Sequence, residues 1–155
     1  MKKRYLDLTN QADCISIFVK DTQIIPAGTT LSSMPVRHKN AEYDRYARDY
    51  DIHFLFEDHL PQPDFYAVPR LDIFAHDGSG GYLCSLETAV DFQSDAKIIY
   101  VDAKRRCFLT AENGRDFLKN VTDWRKQCQP FAGISLFSSI EEAKEHFEFY
   151  EFENQ

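Results

Sequence analysis

The sequence predicts an α+β domain, in which an antiparallel meandering β-sheet packs against helices. Three observations predict it. Residues 71–84 are an alternating strand, a polar glycine hinge and a second alternating strand. Short runs at residues 52–56, 98–101 and 106–110 add further strands with turn residues between them. Helical stripes occur only around Tyr43–Tyr50 and at the back end of the chain. A sheet of roughly five to seven strands follows, an ordinary size. A chain of 155 residues fits a single domain spanning residues 1–155, since domains most often hold ~100–150 residues.

Taken in order, residues 14–19 place Ile15, Ile17 and Val19 on one face of a first strand. Asp21-Thr22 turns it, and residues 23–26 are expected to pair back. Residues 27–40 mix Gly, Pro, Ser and Thr without period and predict a long loop. Tyr43, Tyr46, Ala47 and Tyr50 recur at helical spacing. Ile52, Phe54 and Phe56 then alternate as a strand.

In the hinge segment Leu71, Ile73 and Ala75 fall on one face, and Asp72, Phe74 and His76 on the other. Asp77-Gly78 is a strong turn dipeptide, which Gly80 and Gly81 extend. These four residues are expected to be a structural turn with at least one glycine at positive φ. Asn113 caps a helix carrying Phe117, Leu118, Val121 and Trp124. A short strand is expected within residues 131–137. Ser139 and Glu142 form a capping box that opens a final helix, whose apolar face runs Ile140, Ala143, Phe147 and Tyr150.

Thirteen Phe and eight Tyr supply a large apolar payload, so neither disulfide nor metal is required for a core. Cys14, Cys84, Cys107 and Cys128 form no C-x-x-C pair and match no zinc spacing. They read as small buried residues in a reducing, cytoplasmic setting. The basic start Met1-Lys2-Lys3-Arg4 is followed by no apolar signal region, and no run is long enough to span a membrane. Net charge is −7, and residues 139–155 hold six Glu against one Lys. That balance argues against direct nucleic-acid binding and suits a basic protein partner. An acidic helix is also, by default, simply a solvated face.

Residues 65–124 carry a family resemblance. A strand ending in Asp77-Gly78-Ser79-Gly80-Gly81 is followed by Ile98-Ile99-Tyr100-Val101-Asp102, then by Arg106-Cys107-Phe108-Leu109-Thr110, then by Phe117-Leu118 on a helix. This order resembles the SUKH superfamily. The resemblance implies an α+β fold and a role as a bacterial immunity protein that neutralises a cognate polymorphic toxin. Scaffold and regulatory proteins are its other members.

Other constellations have blander readings. The glycine loop precedes a strand rather than a helix and carries Asp77, so it reads as a turn and not as a phosphate cradle. His53, Glu57 and His59 share a face, but His53 and Glu57 lie ~13 Å apart on a straight strand, too far to chelate one ion. No metal or cofactor is therefore expected. A Cys84–His76 nucleophile pair lacks any sign of a lowered thiol pKa. Tyr43, Tyr46 and Tyr50 alternate with Arg45 and Arg48, but Asp44 and Asp49 cancel those charges, so core packing with hydroxyls at the rim is the better reading.

The expected function is accordingly a non-catalytic module that binds a cognate basic toxin domain, with a nuclease the natural class. Glu141, Glu145 and Glu148 are expected on one helix face, with Tyr150 and Phe74 as exposed aromatic anchors. The alternatives are a small enzyme or ligand-binding domain built from dispersed residues, and an intracellular scaffold.

Overall fold

Leu71–His76 and Tyr82–Leu86 form the central hairpin of a seven-stranded sheet. The computed structural model describes residues 2–9 and 21–150. Along these run β1 (Lys2–Asp7), β2 (Thr22–Ala27), β3 (Thr29–Leu31), α1 (Ala41–Tyr50), β4 (His53–Phe54), β5 (Tyr66–Val68), β6 (Leu71–His76), β7 (Tyr82–Leu86), β8 (Ile98–Val101) and β9 (Cys107–Ala111). There follow α2 (Gly114–Lys119), α3 (Trp124–Gln127), β10 (Gln129–Pro130), β11 (Ser135–Phe137) and α4 (Ile140–Lys144).

The fold is α+β, as the pattern predicts. Strands β6 to β9 form an antiparallel meander, continued at one edge by β10. The sheet as a whole is mixed, because β3 joins β6 in parallel along Leu71–Ile73. On the same edge β4 pairs antiparallel with Ala75 and His76. The changeover falls at Phe74, where a bulge shifts the β6–β7 register. That bulge overturns strict alternation: Phe74 and Ala75 both join the core under the helices, with Leu83, Ile98, Tyr100, Phe117 and Trp124. The opposite face packs Leu71, Ile73, Cys84, Ile99 and Val101 against Leu55, Phe65 and Ala67.

Several local expectations change. Residues 14–19 lie outside the described residues. Residues 22–27 do form a strand, but it pairs in parallel with β1. The stretch expected to be one loop contains β3: Gly28 turns the chain at φ 112°, and the β-branched Thr29 and Thr30 then suit a strand. Asn40 caps α1 by accepting from the backbone N–H groups of Glu42 and Tyr43. The single stripe from Phe117 to Trp124 is divided at Asn120 into α2, a 3-10 turn and α3, yet Phe117, Val121 and Trp124 all remain buried. Trp124 Nε1 donates to Tyr50 O at 2.8 Å, fastening α3 to the end of α1.

The final helix stops at Lys144. Phe147 and Phe149 alternate with Glu148, a strand period that competes with the helix. Tyr5 N donates to Glu148 O and Tyr150 N donates to Tyr5 O, so this segment runs beside β1. Phe147 packs edge-on against Tyr5 and Phe137.

Candidate functional site

Asp77 sits at the tip of the central hairpin with its side chain fully buried. Its carboxylate accepts from Tyr100 Oη, from Ser79 N and Oγ, and from Gly81 N at 2.7 Å. Arg125 Nη2 lies 3.2 Å from Asp77 and 2.8 Å from Asp51, so one guanidinium bridges two carboxylates. The same guanidinium lies over the Trp124 ring, 4.4 Å from its centroid. Asp51, in the left-handed conformation that ends α1, accepts from Gly78 N with both oxygens. Burial alone pushes the Asp77 carboxyl up, but the bonds from Tyr100, Gly81 and Ser79 outweigh it and hold the carboxyl down to about 2. Asp51 is lowered too, its burial outweighed by Gly78, His53 and Arg125. The turn is a clasp joining β6, β8, α1 and α3.

Its glycines have separate reasons. Gly80 takes φ 94°, the positive value the turn requires. Gly81 lies against Tyr100, and a Cβ there would fall 2.5 Å from the phenol oxygen. Gly78 has no positive φ and serves through its N–H to Asp51.

At the other end of β6, Asp72 is completely buried. It accepts from Thr30 Oγ1 (2.6 Å), Ser32 Oγ (2.5 Å) and Val90 N (2.8 Å), with buried Arg70 3.7 Å away. These bonds hold residues 30–32 and the segment after β7 in place. Between those segments, α1 and α2 lies an open groove of about 520 Å³. Tyr43, Tyr46, Phe54, Phe74 and Phe92 line it with Met34, Val90 and Leu118, and Ser32, Ser33, Asn40 and Glu42 are its polar lining. Its size falls in the range of ligand sites, ~300–1,000 Å³.

A second cleft of about 260 Å³ holds His53, His59, His76, Lys39 and Asp58. The rings of His53 and His76 stack, with centroids 4.9 Å apart. His53 Nε2 bonds Asp51, and Lys39 pairs with Asp58. Among the described residues no three His, Cys, Asp or Glu side chains are grouped closely enough to hold a metal ion.

The five residues expected to meet a partner do not form one face. Glu141 lies on α4 and Glu145 at its C-cap, but Glu148 lies beyond the helix, paired with Lys2 at 3.3 Å and Arg4 at 3.1 Å. Helical spacing fails there because the helix has already ended. Phe74 is 3% exposed, at the floor of the groove, and so is no exposed anchor. Tyr150 is half-buried beside Tyr5. Cys84 and His76 are not partners either: Cys84 pairs with Ile73 and Ile99, His76 with Tyr82 and His53. Burial pushes the Cys84 thiol well above its usual range.

The groove is what sequence reasoning missed. Its residues come from six separated segments, and only the Tyr43–Tyr46 spacing hinted at it. That pair packs edge-on against Phe54, as a core stripe should, while also forming the groove wall. Among the described residues no helix is long and apolar enough to cross a membrane. Comparison with known proteins finds no matching family model, no similar curated protein and no similar solved structure.

Proposed function

We propose that this chain is a non-catalytic protein-binding module, an immunity protein that neutralises a cognate basic toxin domain by occluding it. The observation that carries the reading is the SUKH-like pattern of residues 65–124. Its Asp77–Gly81 turn joins β6 to β7, its later strands fall on β8 and β9, and its Phe117-Leu118 on α2. The acidic balance, 25 Asp and Glu against 18 Lys and Arg, supports a basic partner. Such charge chiefly raises the encounter rate, while buried apolar anchors slow dissociation.

The test is co-expression with any toxin-bearing open reading frame beside the gene. Protection of the host, together with a stoichiometric complex of the purified proteins, is the expected result. Full toxicity despite soluble expression of both chains contradicts the reading, as does the absence of such a neighbour.

A further inference from the structure

We propose that the groove between α1 and α2 is the anchor site for the partner, and that it takes one aromatic side chain flanked by lysine or arginine. This rests on the reading of the chain as a module for a basic protein. Aromatic and aliphatic side chains form both walls and the floor, which suits an apolar anchor. Among the described residues, the only charged side chain lining the groove is a carboxylate, Glu42.

Two nearby cations, Arg45 and Arg115, are turned to other work. Arg45 is held by Glu42 and by Tyr50 Oη, with its guanidinium over the rings of Tyr46 and Tyr50. Arg115 bonds Gln93 O and Asp95. The wall that supplies Val90 and Phe92 belongs to residues 87–95, which contain Glu87, Asp91 and Asp95 and no Lys or Arg. Exposed Asp91 lies between those two lining residues. An apolar trough with Glu42 in its lining, walled on one side by a segment whose charges are all acidic, complements an aromatic ring with cations on either side. It disfavours the same ring between carboxylates.

The probe is a capped pentapeptide with a central tryptophan between two pairs of lysines, titrated into the isotope-labelled full chain. Controls are the same peptide with glutamates for lysines, the lysine peptide with glycine for tryptophan, and free indole. The expected result is saturable shifts confined to residues around Tyr43, Val90, Phe92 and Leu118, with the lysine–tryptophan peptide the tightest binder. Glu42→Lys should weaken that peptide about three- to fivefold, the scale of one exposed ion pair, and leave indole unchanged. Leu118→Lys should abolish both, with an otherwise intact amide spectrum.

Absence of binding at millimolar peptide, shifts mapping elsewhere, or equal binding of the glutamate peptide each overturns the proposal. Equal affinity for indole alone points instead to a small apolar ligand. A dimer that Leu118→Lys dissolves points to a second copy of this chain. Either result also overturns it. Peptide binding without toxin protection would remove the immunity reading and leave the groove assignment standing; protection undiminished by Glu42→Lys and Leu118→Lys would do the reverse.

Discussion

Two buried carboxylates stand five residues apart at opposite ends of β6, and their partners differ in kind. Asp77 takes three of its bonds from its own turn, Ser79 and Gly81, and the rest from Tyr100 and Arg125. Asp72 takes its hydrogen bonds from afar, Thr30, Ser32 and Val90 being 18 to 42 residues away in sequence, while its ion-pair partner Arg70 is local. The first carboxylate closes a hairpin into a clasp, beside which lies a small cleft of about 180 Å³. The second spaces distant segments and leaves an open groove beside them. Buried acceptors are stable only when satisfied, and the two carboxylates are satisfied from different distances along the chain.

The largest effect is expected at Asp72. Asp72→Ala strips a counter-charge from buried Arg70 and leaves Thr30, Ser32 and Val90 N without their acceptor. A loss of about 3–5 kcal/mol is expected by chemical denaturation. Asp77→Asn should cost about 2–4 kcal/mol at pH 7. The sign follows from a folded-state carboxyl held below its unfolded value. Its contribution, about 2 kcal/mol, is present above pH ~4 and lost as pH falls through about 2. The difference between wild type and Asp77→Asn should therefore shrink over that window.

Gly81→Val forces a side chain into Tyr100, and Gly80→Val demands a positive φ of a β-branched residue. Each should cost about 1–3 kcal/mol in thermal unfolding. The smallest effect belongs to Glu141→Lys with Glu145→Lys. Both residues are exposed, so stability should move by less than about 0.5 kcal/mol. Their reversal should slow association with a basic partner at low salt, and a measured rate that ignores ionic strength would break that expectation.

The same contrast explains what could be read from the sequence. The Asp77 turn was legible because its Ser79 and Gly81 donors lie within four residues and follow known turn chemistry. The central strands and the α1 stripe were legible for the same local reason. The bulge at Phe74 was not, since nothing local distinguishes it from continued alternation. Nor was β3, whose pairing with β6 depends on Asp72 reaching back to Thr30 and Ser32. At the C-terminus two periods overlap: Ile140 and Ala143 fit a helix, while Phe147 and Phe149 fit a strand. Pairing with β1 decides between them. The groove shares the fate of β3, because tertiary contacts assemble it.

The most direct test compares the two ends of β6 in one measurement, the affinity of the lysine-flanked tryptophan peptide for folded Asp72→Asn and Asp77→Asn. The first variant should lose binding about tenfold or more, because the walls held by Thr30, Ser32 and Val90 are released, a change of about 1.4 kcal/mol. The second should bind as wild type does, its damage confined to the clasp. Undiminished binding by Asp72→Asn, or loss in Asp77→Asn alone, would contradict this division of roles.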